Sequence, residues 1–452
     1  MPPNNARFLQ GSTFRHVVVM ALTGSVGLMF LFLVDVATLF WVSQIGVEKL
    51  VAALGFVWAV QFFTVSVSIG LGIAATARVS RALGSGNADG AGEEASSSML
   101  IAAALLAGVA VLVITFRHSI LDAIGAETGA REFAAHFLLL TVPALPLIGI
   151  AVTAASVLRA AGQAIAAASV TFCAGLVAVV LDPLFIFGFG LGIDGAAYVV
   201  VLSRLAACSF GLYMLVHRYK LAGPPSPVRA WRAAPAIFAI AGPAIIAQST
   251  GPIANAFITF AVSAFGDAAV AGWSVVSRLT FVAFGGLFAL STAIGGIFGQ
   301  NYGAGALHRV RSTYRDALIY CGCYVAVVWI ILILAHQGIA AAFNLSPAGA
   351  ELLTAFAWIG AGATVFYGAL AVANAAFNTL DRPLWATALN WLRDVVVLVP
   401  LVVAATASMG AVGAIYGQAG AMVSVGIAAA YLGWRFVNEL RPLAGPAPNP
   451  TS

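Results

Sequence analysis

Three carboxylic acids lie well inside long apolar stretches of this 452-residue chain: Asp35, Asp182 and, less deeply, Asp394. An ionised carboxylate at the centre of a membrane span costs roughly 3 kcal/mol on insertion scales, so such acids are candidates for function. No basic residue lies at matching depth in the stretches that hold Asp35 and Asp182. A carboxyl group in a low-dielectric site can bind and release a proton near neutral pH. The alternative is a packing Asp that is hydrogen-bonded to Ser or Thr.

Asp394 has a basic neighbour, Arg393, at the adjacent position. Adjacent residues of a helix point about 100° apart, so we expect these two not to pair directly and Asp394 to be structural. Two further arginines fall in apolar stretches. Arg278 could line a cavity, whereas Arg204 could pair with a carboxylate or seal a bundle of helices.

Uncharged polar residues follow one helical face at Gln248, Asn255 and Thr259, with Pro252 between them. The proline predicts a kink and a freed backbone carbonyl. This face could contact a substrate or could only pack between helices. Aromatic rings such as Trp58 and Phe62 suit flat cations, although membrane interfaces also favour tryptophan. The candidates for a substrate cavity are therefore Gln248, Asn255, Thr259, Arg278, Phe62 and Trp58.

The composition requires that these residues lie in a membrane. Apolar residues make up 62% of the chain and charged residues 8%, whereas roughly a quarter of an ordinary soluble domain is charged. The stretch 98–116 has no charge and no proline, and about 20 such residues cross the hydrocarbon layer as a helix. A soluble enzyme, a nucleic-acid binder and a transmembrane β-barrel are excluded. The sequence predicts an all-α integral membrane protein.

Hydropathy predicts twelve transmembrane helices. Their approximate limits are 16–42, 50–77, 98–116, 133–158, 164–188, 191–216, 234–265, 268–298, 317–342, 352–379, 384–407 and 410–436. If both termini are cytoplasmic, the inside segments hold 15 Lys and Arg residues and the outside loops hold three. This strong positive-inside bias predicts an even number of crossings and cytoplasmic termini.

The chain divides at its middle into two related lobes. A basic, proline-rich linker, 217–233, separates an N-lobe of six helices, 16–216, from a C-lobe of six, 234–436, with cytoplasmic tails at 1–15 and 437–452. The glycine pair Gly84 and Gly86 recurs 219 positions later as Gly303 and Gly305. Two parallel repeats imply a pseudo-two-fold axis along the membrane normal and a central cavity, an arrangement typical of alternating-access transporters.

No P-loop and no metal-binding acidic motif is present. We therefore expect transport driven by an ion gradient, with no cofactor, no bound metal and no enzymatic activity.

Several motifs resemble those of the multidrug and toxic compound extrusion (MATE) family, over about residues 15–436. They are Arg78-Val-Ser-Arg-Ala-Leu-Gly-Ser-Gly-Asn87, Gly299-Gln-Asn-Tyr-Gly-Ala-Gly305, Val157-Leu-Arg-Ala-Ala-Gly162 and Leu181-Asp-Pro-Leu-Phe-Ile-Phe-Gly-Phe-Gly190. The resemblance implies two six-helix lobes that export small organic cations or lipophilic drugs against an inward flow of protons or sodium. Leu33-Val-Asp35 and Leu181-Asp-Pro183 resemble the DinF-like branch, which implies that Asp35 and Asp182 couple the ion.

Two departures from the family pattern favour protons over sodium. Ala178 stands where relatives often carry asparagine, and Val200 stands where a threonine can join an ion site. Sodium wants several oxygen ligands, and these losses leave mainly Asp35 and Asp182. The first span also lacks the proline at which some relatives bend, although Gly24 could serve as a hinge.

The sequence therefore predicts a monomeric, proton-coupled exporter in the inner membrane of a bacterium, in contact with membrane lipids and with no nucleic-acid partner. Sodium coupling stays open. A lipid-linked oligosaccharide flippase of the same superfamily is the nearest alternative, but it would need a larger, more basic cavity. An intramembrane transferase is the alternative from another class.

Overall fold

The computed structural model describes residues 6–45, 48–126 and 128–441. The N-lobe comes first along the chain. A short 3-10 turn, Arg7–Leu9, precedes six helical segments. They are α1 (Thr13–Ser43), α2 (Glu48–Gly84), α3 (Ala88–Ala123), α4 (Thr128–Thr141 and Leu145–Ala160), α5 (Ala164–Pro183, continued by the π-helical turn Leu184–Gly188) and α6 (Gly192–Tyr213, continued by the π-helical turn Met214–Arg218).

The C-lobe repeats this arrangement with more breaks in its helices. Its segments are α7 (Pro227–Gln248 and Thr250–Ser263), α8 (Asp267–Ala283, Gly285–Ala293 and Gly295–Gly303), α9 (Leu307–Ala342), α10 (Pro347–Ala355, the π-helical Phe356–Gly360 and Ala361–Thr379), α11 (Pro383–Trp391, the π-helical Leu392–Val397 and Leu398–Met409) and α12 (Gly413–Glu439).

The predicted all-helical fold with twelve crossings is confirmed. Ten helical segments of the described residues are long and apolar enough to span a membrane, and bent α8 makes an eleventh. One of the ten, Pro383–Glu439, has 57 residues, or about 85 Å of helix, whereas about 20 residues suffice for one crossing. It reverses at Gly410, where φ is 68°, and its two parts, α11 and α12, pack against each other.

Several helices extend beyond the apolar stretches that hydropathy detects. The third runs from Ala88 to Ala123 around the predicted span 98–116, and the seventh begins at Pro227, inside the predicted linker. A helix satisfies its backbone hydrogen bonds internally, so it can extend beyond the hydrocarbon layer through turns whose side chains are polar. α1 is one continuous helix from Thr13 to Ser43, and Gly24 does not break it. A Cβ there would come within 2.9 Å of Ala289, so this glycine allows α1 to approach α8.

Glycines of the two repeats meet at one end of the bundle, which we call the basic end because Arg81, Arg159 and Arg309 lie there. A Cβ on Gly84 would collide with the backbone of Gln300, and a Cβ on Gly303 would collide with the backbone of Arg81. Gly303 follows Gly84 by 219 positions, and Gln300 follows Arg81 by the same number. The repeats found in the sequence thus pack against each other symmetrically, and they bring α2 and α8 into backbone contact.

Polar contacts reinforce this closure between the lobes. Arg81 of α2 donates to Asp381, before α11, at 2.5 Å. The Gln300 amide donates to the carbonyl of Ala160 at 2.7 Å. Ala160 ends α4, so Gln300 ties the C-lobe to the N-lobe.

The segment before α1 covers the same end. Phe8 is 2% exposed, and its backbone N–H donates to Oε1 of Gln300 at 2.9 Å. Arg309 donates to the carbonyls of Phe8 and Gly11 at 2.8 and 3.0 Å. Thr13 anchors the start of α1 through a 2.5 Å hydrogen bond to Asp316. These contacts seal the basic end with residues from both lobes.

Substitution of Gly84 tests this contact. We expect Gly84→Ala to lower the free energy of unfolding by about 1–3 kcal/mol, because its methyl group overpacks the Gln300 backbone. Gly108→Ala is the matched control, since a Cβ at Gly108 of α3 meets no atom within 4 Å. Thermal unfolding in detergent measures both. Equal melting temperatures for the two variants would contradict the close approach.

Candidate functional site

Asp182 lies at the end of α5, near the end of the bundle opposite the basic end. Its side chain is buried, with 1% of the residue exposed. Oδ2 accepts a hydrogen bond from the Thr38 hydroxyl of α1 at 2.5 Å. Oδ1 is also buried, and it has no hydrogen-bond partner among the described residues. The carboxyl group therefore has one donor and an unused oxygen in an apolar setting.

Asp35 lies one helical turn before Thr38 on α1. Residues three apart share a helix face, with roughly 5–6 Å between their Cβ atoms. Asp35 is partly exposed, and within the described chain its side chain makes no hydrogen bond or ion pair. The structure thus places both predicted acids at the packing between α1 and α5, with Asp182 at the contact and Asp35 one turn away.

The surroundings of this contact are apolar. Ala178 packs with Val34 of α1 and Val199 of α6. These side chains offer no oxygen ligand. Among the described residues, no group of three or more His, Cys, Asp or Glu side chains could hold a metal ion.

The C-lobe contains a corresponding threonine–aspartate contact. Thr250 of α7 donates to Oδ2 of Asp394 of α11 at 2.6 Å. In both lobes the aspartate follows its threonine by 144 positions. The contacts differ in depth, because Asp394 lies near the middle of α11, whereas Asp182 ends the main part of α5.

The expectation that Arg393 and Asp394 do not pair directly is wrong. Nε and Nη2 of Arg393 donate to the two carboxylate oxygens of Asp394 at 2.7 and 2.6 Å. Both residues are buried. They lie in the π-helical stretch Leu392–Val397, where the wider turn changes the angle between neighbours, and the long arginine side chain folds back onto the carboxylate. Asp394 thus has a counter-charge, whereas Asp182 has none among the described residues.

Arg204 seals the N-lobe rather than pairing with an acid. Its guanidinium donates to the carbonyl of Thr141 at 2.7 Å and to Oε1 of Gln61 at 3.1 Å. The side chain is buried and joins α6 to α4 and α2.

The substrate-cavity candidates separate in the structure. Gln248 lines a cavity in the C-lobe. α7 is interrupted at Ser249, between Gln248 and Pro252. Proline has no backbone N–H, so Pro252 cannot donate to the carbonyl of Gln248 four residues earlier, and the helix breaks there. Beyond the break, Asn255 accepts from Ser277 and Thr259 accepts from Trp273, both at 3.1 Å. These two residues therefore tie α7 to α8, although Asn255 stays exposed.

The other three candidates lie on exposed surfaces. Trp58 and Phe62 of α2 are 43% and 42% exposed. Arg278 of α8 is exposed and has no hydrogen bond or ion pair with the described part of the chain. The structure does not join these residues to the C-lobe cavity, and their role in substrate binding stays a prediction.

Sequence reasoning missed most of the C-lobe cavity, whose volume is about 40 Å³. Besides Gln248 and Arg393, five polar residues line it, namely Tyr367, Asn374, Asn378, Asn390 and Ser291. The first three recur seven and four positions apart, which places them on one face of α10. A search for amides at helical spacing, rather than for charges, would have found them.

Comparisons with known proteins agree with this architecture. The MatE family model matches residues 25–184 and 243–404, one stretch in each lobe. An FAD transporter of Shewanella oneidensis is 27% identical over 433 residues, 94% of this chain and 96% of that protein. A probable multidrug resistance protein NorM of Thermotoga maritima is 26% identical over 307 residues, 64% of this chain and 63% of that protein.

Solved structures show the same fold. A mutant of the Vibrio cholerae MATE transporter VcmN is similar with a TM-score of 0.87 and 23% identity, over 94% of this chain and 96% of that one. A transporter of the MOP superfamily from Pyrococcus furiosus has a TM-score of 0.87 and 20% identity, over 96% and 98% of the two chains. With the family match in both lobes and the twelve-helix fold, the chain belongs to the MatE family of transporters.

Proposed function

We propose that this protein is a proton-driven antiporter that exports lipophilic, mostly cationic compounds by alternating access. The observation that carries the proposal is Asp182, a buried carboxyl group that has, within the described chain, one hydrogen bond and one unpartnered oxygen. Ionised, it is a negative charge in an apolar site, which is costly unless it is balanced. A proton or a cationic substrate supplies that balance.

Asp35 supplies a second acid on the same face of α1. It is the less buried of the two acids and lies one turn from the Thr38–Asp182 contact. In the proposed cycle, protonation of the two acids from outside removes the negative charge that holds a cation, and the substrate leaves. Deprotonation towards the cytoplasm restores the charge and thus the affinity for the next substrate.

The contacts of the basic end are those expected of a closed gate in an alternating-access transporter. The excess of arginine favours a cytoplasmic position for this end, in the inner membrane of a bacterium, with both termini inside. The glycine contact between α2 and α8, with Phe8 beneath it, then closes the path from the cytoplasm. Opening this end would separate Arg81 from Asp381 and Gln300 from Ala160.

The distribution of charge favours an exporter of cations over a flippase for an oligosaccharide on an anionic lipid carrier. Arg204 is bound to Thr141 and Gln61, and Arg393 is bound to Asp394. Of the three predicted intramembrane arginines in the described chain, this leaves Arg278 without a side-chain partner. One free cation is a weak basis for binding a diphosphate. The Shewanella oneidensis relative is named an FAD transporter, so a flavin is a second candidate cargo.

Charge removal tests the coupling role. We expect Asp35→Asn and Asp182→Asn each to abolish drug resistance and dye efflux, because neither amide can carry the coupling proton. Efflux of ethidium from cells that express equal amounts of each variant measures this.

Two other aspartates provide controls. Asp267→Asn changes an exposed acid in the first turn of α8 and should leave efflux unchanged. Asp394→Asn should instead lower stability by about 3–5 kcal/mol, because it leaves buried Arg393 without a counter-charge. Efflux at the wild-type rate from either Asp35→Asn or Asp182→Asn cells would remove the mechanism.

The driving ion is tested separately in proteoliposomes. We expect an inward proton gradient to drive dye export without sodium, because Ala178, one turn before Asp182, and its packing partners Val34 and Val199 supply no oxygen ligand. The measurement compares dye flux under a pH gradient with flux under a sodium gradient at equal pH. Flux that follows sodium alone would replace proton coupling by sodium coupling.

A further inference from the structure

The C-lobe cavity has a polar wall that the coupling scheme does not use. It lies between α7, α8, α10 and α11, with Ile73 of α2 on its N-lobe side. Gln248, Tyr367, Asn374, Asn378, Asn390 and Arg393 line it. Five of these six side chains carry an amide or a guanidinium group.

Three polar atoms of this wall are buried and lack a hydrogen-bond partner among the described residues: Nη1 of Arg393, Oδ1 of Asn374 and Oδ1 of Asn378. Buried polar groups are nearly always hydrogen-bonded, so each exception requires an explanation. Here one donor and two acceptors belong to residues that line the same cavity.

The remaining contacts hold these atoms in place. Nε and Nη2 of Arg393 are fixed by Asp394, and the guanidinium lies 4.7 Å from the ring centre of Tyr367. The amide nitrogen of Asn390 donates to the carbonyl of Ala386 at 2.7 Å, which fixes the orientation of this side chain. The wall is therefore rigid on the arginine side.

The site offers hydrogen bonds without a net charge. Asp394 neutralises Arg393, so an anion would find no excess positive charge, and a cation would meet the remaining N–H of the guanidinium. An uncharged group that presents a carbonyl oxygen beside an N–H matches the free donor and acceptors. The aromatic face of Tyr367 beside the guanidinium favours a flat group.

We propose that this cavity recognises the imide or lactam edge of a planar heteroaromatic substrate. The carbonyl oxygen of the edge accepts from Nη1 of Arg393, and its N–H donates to Oδ1 of Asn374 or Asn378. A volume of about 40 Å³ holds such an edge but not a whole drug, so the rest of the molecule lies outside the cavity. The inference rests on the proposed export function and adds a substrate class to it.

The test compares two ligands that differ at one atom. Riboflavin carries an imide N–H, and 3-methylriboflavin replaces that hydrogen with a methyl group. We expect wild-type proteoliposomes under a proton gradient to transport riboflavin about tenfold faster than 3-methylriboflavin at low concentration. The methylated flavin is slower because it cannot donate a hydrogen bond to the buried asparagine oxygen. Quenching of flavin fluorescence by detergent-solubilised protein should show the same order of affinities.

Isosteric variants assign the discrimination to the cavity. Asn374→Leu and Asn378→Leu should bring the ratio of riboflavin to 3-methylriboflavin transport close to one. Gln337→Leu, which removes an amide of α9 outside the cavity, should keep the wild-type ratio. Ethidium, a flat cation with no imide, reports on general transport, and riboflavin flux should fall more than ethidium flux in both asparagine variants.

The outcomes separate this inference from the export function. Equal transport of the two flavins by wild-type protein, no binding of riboflavin, or a ratio unchanged in both asparagine variants would overturn the subsite. A parallel loss of ethidium and riboflavin flux would show that the amides are structural and would also overturn it. Proton-driven ethidium export that depends on Asp182 would stand in each case, whereas its absence would contradict the proposed function itself.

Discussion

A buried carboxyl group without a counter-charge is the constraint from which the account of this transporter follows. Asp182 is buried in an apolar site, and the Thr38 hydroxyl is its one hydrogen-bond donor among the described residues. Burial makes the ionised form costly, so the neutral acid or a neighbouring cation stabilises the group. In the proposed cycle, proton binding and substrate binding compete for this charge, and such competition is what an antiporter requires.

The two lobes use one packing contact for different purposes. Each lobe joins its first and fifth helices by a threonine–aspartate hydrogen bond with the same sequence separation. In the C-lobe, Arg393 neutralises the aspartate and fixes it in place. In the N-lobe the corresponding aspartate has no counter-charge among the described residues. A duplicated six-helix unit thus provides one lobe to which we assign ion coupling and another with a fixed polar wall, while backbone contact at Gly84 and Gly303 keeps the basic end closed.

The sequence predicts the fold well because its main signals are local. Apolar runs, basic loops and the repeated glycines indicate twelve helices in two lobes, and the glycines meet as symmetric partners. The side-chain pairing of Arg393 with Asp394 could not be predicted, because it depends on a π-helical turn that changes the angle between neighbours. The role of Arg204 and the amide wall of α10 also depend on tertiary contacts across several helices, for which a single sequence gives no distance.

Proton release on substrate binding tests the central claim most directly. Ethidium added to detergent-solubilised protein in weakly buffered solution should displace about one proton per protein molecule near neutral pH, because one cation replaces one proton at the acid site. A pH-indicator dye or calorimetry in buffers of different ionisation enthalpy measures this number. We expect proton release by the wild-type protein and none by the double variant Asp35→Asn/Asp182→Asn. Binding without proton release, or equal release by the double variant, would contradict proton coupling at these two acids.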